Sequence, residues 1–208
     1  MNKAIKEMKP YMVREYGTDM GIAIISKAQS IWENLCKENN KDPKALKKHT
    51  ENNMFPCISL YKAMEQCGIE KDQALEYLDK SWSERAQKGA DQLATIFKIP
   101  GLYKLYPGIF EKVAKKSYGE QAGFKAKFYN MGKGRCKFDM IKCPFCETCE
   151  KYGCKELTKC FCHVDDVNNA NLHPKLIWNR SKFMGGGEDY CDFDIYVKDR
   201  KGEDHESV

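Results

Sequence analysis

Long apolar runs are missing from this 208-residue chain. The longest near the N-terminus covers residues 22–25, far short of the roughly 20 residues a membrane-spanning helix needs. The basic N-terminal stretch also lacks the apolar core of a secretory signal. A cytoplasmic location is therefore expected, with no membrane partner. Charge of one sign is scarce as well. Lys and Arg number 35 against 30 Asp and Glu, a formal net charge of +5. The excess is spread thinly, +4 over residues 1–124 and +1 over the rest. Lysine groups such as Lys44, Lys47, Lys48 and Lys112, Lys115, Lys116 read as solvated helix faces. No recognisable nucleic-acid module accompanies them, so no nucleic-acid partner is expected. Internal repeats are absent too.

Cysteine is present, but not as a scaffold. Eleven cysteines make about 5% of the chain, below the roughly 8–10% of disulfide-built domains, and an odd number leaves one unpaired. In a reducing compartment such thiols are reactive, metal-binding or simply core. Apolar content of 42% with 12% aromatics excludes disorder, and a chain of this length buries roughly 70% of its unfolded surface without staples.

The first 120 residues read as a helical portion. Met20, Ala23, Ile24, Ala28, Ile31 and Leu35 recur at helical spacing, and residues 39–43 (NNKDP) break the pattern. Ser59 is placed as the cap of a short helix closed by Cys67-Gly68. Asp72 is placed as the cap of a long one running through Trp82 to Phe97. A further helix covers 109–117. From 121 to 208 the pattern changes within the same domain. Residues 124–129, 135–141, 176–183 and 190–198 are expected strands, the clearest of them alternating apolar and polar side chains, and 147–160 an expected helix. Gly185–Gly187 suits a hairpin turn. It opens no helix and is no dinucleotide fingerprint. The tail from Gly202 is expected to fray. The predicted fold is α+β: N-terminal helices, then an antiparallel sheet with a Cys-rich strand–helix segment.

Eight cysteines lie between Cys136 and Cys191. Cys143, Cys146 and Cys149 are spaced C-x2-C-x2-C, and Cys154 follows. Soft thiolates at this spacing suit zinc or an iron–sulfur cluster, though no second C-x2-C completes a zinc ribbon. A nucleophilic role asks for one thiolate and a base. Cys143 and Cys146 fall where strand gives way to helix, whose free N–H groups favour a thiolate. Cys162 is the other candidate. Its neighbour His163 diverges from it in direction, so Asp165, Asp166 or His173 is the more natural base. Cys36, Cys57 and Cys67 read as packing, as do Cys136 and Cys191 on strand faces. Arg180, inside an apolar strand, either snorkels to the rim or forks onto a carboxylate. Asp192 points opposite to Cys191 and Phe193. His49 reads as exposed.

Taken in order, Cys143-Pro144, Gly153-x2-Glu156-Leu157, Phe161-Cys162-x2-Asp165, Pro174-x-Leu176, Arg180, Gly187 and Cys191-Asp192-Phe193 resemble the L-2-amino-thiazoline-4-carboxylic acid hydrolase family over roughly the last 70 residues. The resemblance implies a cytosolic bacterial hydrolase that opens a thiazoline ring to an N-carbamoyl cysteine. It supports Cys143, Glu156, Cys162, Asp165, Arg180, Cys191 and Asp192 as pattern residues without assigning their roles. Cys146, Cys149, Cys154 and Cys160 are additions. The expectation is a cysteine-dependent hydrolase cleaving a C–N bond in a small cyclic amidine-like carboxylate. Cys162 would be the nucleophile, or Cys143 failing that; Asp165 would take the proton, and Arg180 would grip the substrate carboxylate with both arms. No cofactor is needed, the partner is a small-molecule substrate, and a homo-oligomer is compatible. The rival is a zinc or iron–sulfur protein built on Cys143, Cys146, Cys149 and Cys154.

Overall fold

In a computed structural model that describes residues 1–198, the chain is α+β. Helices α1 (Lys3–Tyr16), α2 (Thr18–Glu38), α3 (Lys44–His49), α4 (Phe55–Gln66), α5 (Lys71–Phe97) and α6 (Tyr106–Ser117) come first. Strands β1 (Lys125–Tyr129) and β2 (Arg135–Lys142) follow, then α7 (Pro144–Lys151), α8 (Thr158–Asn169), β3 (Leu176–Asn179) and β4 (Cys191–Val197). The sheet is antiparallel throughout, in the order β1-β2-β4-β3. The tail from Gly202 lies outside the described residues.

The alternation read in the strands sets the sheet's buried face. Phe128, Phe138 and Phe193 stand opposite one another on β1, β2 and β4. Their rings stack at 4.8 and 4.7 Å, and Trp178 meets Phe193 edge-on at 5.6 Å. Cross-strand aromatic pairs like these are what hold a sheet in register. On the other face Arg135 grips Asp194 through Nε at 2.9 Å and Nη2 at 2.5 Å, which satisfies a carboxylate in a nearly buried residue.

α7 and α8 turn back from the sheet into the helical core. Cys149, Cys154, Leu157 and Cys160 are buried there with Ile5, Met8, Met12 and Ile58. The single helix expected over 147–160 is two, because Gly153 takes a left-handed conformation (φ +66°) after α7 and a 3₁₀ turn leads into α8. Other boundaries shift for local reasons. Ser59 caps nothing: α4 begins at Phe55, and Ser59 is fully buried within it. Asp72 lies in the first turn of α5, whose cap residue, Glu70, makes no side-chain capping bond. The strand expected to reach 183 stops at Asn179, where Arg180 turns inward. His49 is not idle: its Nε2 meets the Ser117 carbonyl at 3.0 Å and its ring packs on Phe124.

Gly21 is where α2 crosses α1. A Cβ there would sit 2.7 Å from the Val13 nitrogen and 2.8 Å from the Met12 carbonyl carbon. Both obstacles are backbone, so the helices would have to separate. Gly21→Ala is expected to cost about 1–3 kcal/mol, lowering the melting temperature by roughly 2–12 °C. An unchanged melt would show that the crossing has slack.

Candidate active site

A cavity of about 480 Å³ lies where the helical layer meets the sheet, a size typical of small-ligand sites. α1 and α4 supply Met8, Pro56, Cys57 and Leu60; α5 supplies Trp82 and Arg85; α8 supplies Phe161, Cys162, Asp165 and Asn168. Met140, Cys143, Cys191, Phe193 and Arg180 close the sheet side. A π-helical turn, Thr50–Met54, adds Asn52 and Asn53 to the wall.

Five sequence-predicted residues converge here: Cys143, Cys162, Asp165, Arg180 and Cys191. Two do not. Glu156 accepts from the Tyr61 hydroxyl at 2.7 Å and ties the 3₁₀ turn to α4. Asp192 points away, as its strand parity requires, and accepts from Ser181 Oγ and the Lys182 N–H, both at 2.5 Å. It holds the β3–β4 connection. Of the other bases considered, His173 stacks on Tyr103 at 3.8 Å and Asp166 is taken by Trp178 and Arg180. Asp165 is the acid that faces the cavity.

Arg180 is the centre of the arrangement. Its side chain is 1% exposed, and its guanidinium carbon lies 5.3–5.9 Å from the ring centroids of Trp178, Phe183 and Phe193. Nη2 donates to Asp166 Oδ2 and to the Cys162 carbonyl, each at 2.7 Å. Nη1 lies 3.6 Å from Asp165 Oδ2, too long for a hydrogen bond. Nε and Nη1 are both buried without a protein acceptor, a condition that costs about 1–3 kcal/mol per group. Neither outcome expected from the sequence holds in full. Arg180 reaches the Asp166 carboxylate through Nη2 alone, without a fork, and Nε and Nη1 lie on different edges of the guanidinium. A substrate carboxylate would meet single donors, not a two-armed grip.

Cys162 and Asp165 are one turn apart on α8 and so share a face. Burial pushes the Cys162 thiol up to about 12, opposed by Arg180 and the Gly185 N–H and reinforced by Asp165 and Cys191. Burial raises Asp165 from 3.8 to about 6, against the pull of Arg180 and with the help of Asp166. Cys191 accepts from the Met184 N–H at 3.3 Å and is pushed by burial up to about 11. The site thus holds protonated thiols beside a carboxylate that ionises near neutrality, a base suited to general catalysis.

The four cysteines of the metal reading do not assemble. Cys143 and Cys146 sit at the start of α7, while Cys149 and Cys154 pair in the core, where Cys154 Sγ donates to the Cys149 carbonyl at 3.4 Å. Among the described residues no group of three His, Cys, Asp or Glu is arranged to hold a metal ion. The reason is helical phase. Cys149 turns to the buried side of α7, away from the helix start.

Other residues were not legible in advance. Tyr118 lines the cavity, and burial raises its hydroxyl, with Asp165 and Cys143 close enough to add to the rise. Cys57, read as packing, is on the wall. Gly185, read as part of a turn, packs on α8: a Cβ would lie 2.9 Å from Cys162 Sγ and 3.2 Å from the Thr158 carbonyl. No helix among the described residues is long and apolar enough to cross a membrane.

No curated protein and no solved structure gives a significant match to the chain. The family model described as L-2-amino-thiazoline-4-carboxylic acid hydrolase matches residues 47–195, a span from α3 into β4 that takes in every sequence-predicted residue and extends well upstream of the last 70 residues. With most of its length covered, the chain belongs to the L-2-amino-thiazoline-4-carboxylic acid hydrolase family.

Proposed function

We propose that the protein is a cysteine-dependent hydrolase that opens a small cyclic amidine-like carboxylate of the 2-amino-thiazoline type. The observation that carries this is the joining of Cys162, Asp165 and Arg180 in one cavity, with two buried Arg180 donors lacking a protein acceptor. Arg180 receives the substrate carboxylate. Cys162 Sγ adds to the amidine carbon as its proton passes to Asp165. Collapse expels the ring sulfur, which is protonated, and water then displaces Cys162 to leave an N-carbamoyl product. In that product both nitrogens stay on the carbon, so the ring bond that breaks is C–S. The C–N cleavage expected from the sequence does not fit it.

The direct test is turnover of 2-amino-thiazoline-4-carboxylate followed by product mass, beside the analogue lacking the carboxylate. The carboxylate substrate is expected to be favoured in kcat/KM by about 100-fold, the scale of a charged hydrogen bond of 1.5–3 kcal/mol. Equal rates, or no turnover of either, would sink the proposal.

Asp165 gives a pH signature. Activity needs its ionised form, so kcat/KM is expected to rise through about pH 6 and then level. Asp165→Asn should abolish that limb and lower the plateau by about 10²-fold or more. The stability effect has the opposite sense. A carboxyl whose folded value lies above its unfolded one binds protons better when folded, so its contribution is present below about pH 4 and lost as pH rises to about 6. With 46% of the side chain facing the open cavity, that loss is well below the roughly 1.4 kcal/mol per unit of a fully buried group.

A further inference from the structure

We propose that Cys143 and Cys146 form a redox-active dithiol, a thiol–disulfide exchange site at the edge of the cavity that closes to an internal disulfide and reopens.

Cys143 is the cap residue of α7, in extended conformation (φ −128°, ψ 114°), and Pro144, Phe145 and Cys146 make the first turn. Each residue of this Cys-Pro-Phe-Cys turn fits the role. Proline occupies the first helical position, where an N–H would have no helical partner. The next two N–H groups, of Phe145 and Cys146, belong to the open first turn beside Cys143 and act to favour its charged form. A helix N-terminus stabilises a thiolate as attacking or leaving group. The Cys143 carbonyl accepts from the Cys146 and Glu147 N–H groups at 3.1 and 3.3 Å, which fixes the turn. The two residues lie three apart across the first turn, the spacing at which side chains on a helix are neighbours, and so within the reach of an S–S bond. The neighbouring Cys146 thiol and burial keep the free Cys143 thiol raised.

Position sets this pair apart from the other neighbouring pair, Cys149 and Cys154. Cys143 and Cys146 are both half-buried, and Cys143 opens on the cavity. Cys149 and Cys154 are also close to each other but fully buried in the helical core, where a disulfide reagent has no access. Neither Cys146, Cys149 nor Cys154 belongs to the family pattern quoted above, so the hydrolase reading leaves this turn's second thiol unexplained.

The exchange balances with a low-molecular-weight disulfide as oxidant. One thiol of the pair loses its proton and attacks a sulfur of that disulfide, forming a mixed disulfide and expelling one thiolate. The second thiol of the pair then loses its proton and displaces the remaining half. Two electrons and two protons pass from the pair to the reagent, which leaves as two thiols. Closure also removes a free thiol from the cavity wall.

The test needs no hydrolase turnover, so its outcome is separate from that of the proposed function. The reduced wild-type chain is incubated with oxidised glutathione without oxygen, quenched by alkylation and weighed. Nine of the eleven thiols should remain alkylatable, with no glutathione retained. Cleavage after Phe145 should leave the two halves of the turn joined, and dithiothreitol should restore all eleven thiols. Cys146→Ser should instead trap one glutathione on Cys143, or Cys143→Ser one on Cys146. Eleven free thiols after oxidation, a stable glutathione adduct on the wild type, or a bond mapped to Cys146 and Cys149 would overturn the proposal.

Discussion

Arg180→Met is expected to weaken both the fold and the site more than any other single change at the cavity. The guanidinium is 1% exposed, sits among three aromatic rings and is the cation facing Asp165 and Asp166. Removing it leaves Asp166 without its strongest partner and the Cys162 carbonyl without its donor. Breaking a fully buried ion pair on one side costs about 3–5 kcal/mol; Asp165 and Asp166 are 46% and 42% exposed, which places the cost at the low end, about 3 kcal/mol, a fall in melting temperature of roughly 6–12 °C for a chain this size. Lysine would not substitute, because a point ammonium cannot serve Asp166, the Cys162 carbonyl and a ligand from one plane. For substrates with a carboxylate, KM should rise by about 100-fold or more. The half of this effect due to the orphaned acid can be isolated. The double variant Arg180→Met with Asp166→Asn should recover part of the melting temperature and none of the KM. A variant that melts and binds like the wild type would remove Arg180 from the site altogether.

The parts of this arrangement that the sequence made legible are those with a period. Alternation in residues 135–141 placed Cys136, Phe138 and Met140 on one face, and all three are buried. The same parity put Asp192 outside the cavity, where it braces the Ser181–Lys182 turn. Long-range partners carry no such signal. Nothing in the order of residues announces that Glu156 lies against Tyr61, 95 positions away, or that the helical layer contributes Cys57 and Tyr118 to a cavity floored by the sheet. The C-x2-C-x2-C spacing misled for a local reason. A three-residue repeat drifts around a helix of 3.6 residues per turn, and Pro144 starts α7 three residues earlier than expected. The run was therefore distributed over a helix start and a buried face. Gly185 was read as a turn residue for its flexibility, whereas its lack of a side chain lets the turn lie against Cys162 Sγ.

Cys162 and Cys143 both line the cavity, and their substitution by serine should separate them by orders of magnitude. Cys162 has the base: Asp165 lies one turn on along α8 and ionises near pH 6, so a proton can leave the sulfur as it attacks. The Arg180 cation and the nearby Gly185 backbone both favour the charged sulfur against burial. Cys143 has Cys146 beside it instead, which together with burial raises its thiol. Cys162→Ser is expected to lower kcat by about 10³-fold or more, since a hydroxyl is a far weaker nucleophile without a stronger base. Its melting temperature should hardly move, because the two side chains differ by one atom. Cys143→Ser should stay within about tenfold of the wild type, the margin of a wall residue that positions without reacting. The reverse pattern would transfer the nucleophile to Cys143 and make the α7 N-terminus the activating element. Full activity in both variants would exclude a covalent cysteine and leave Asp165 to activate water directly, with the pH limb near 6 intact and the Cys162 thiol a spectator.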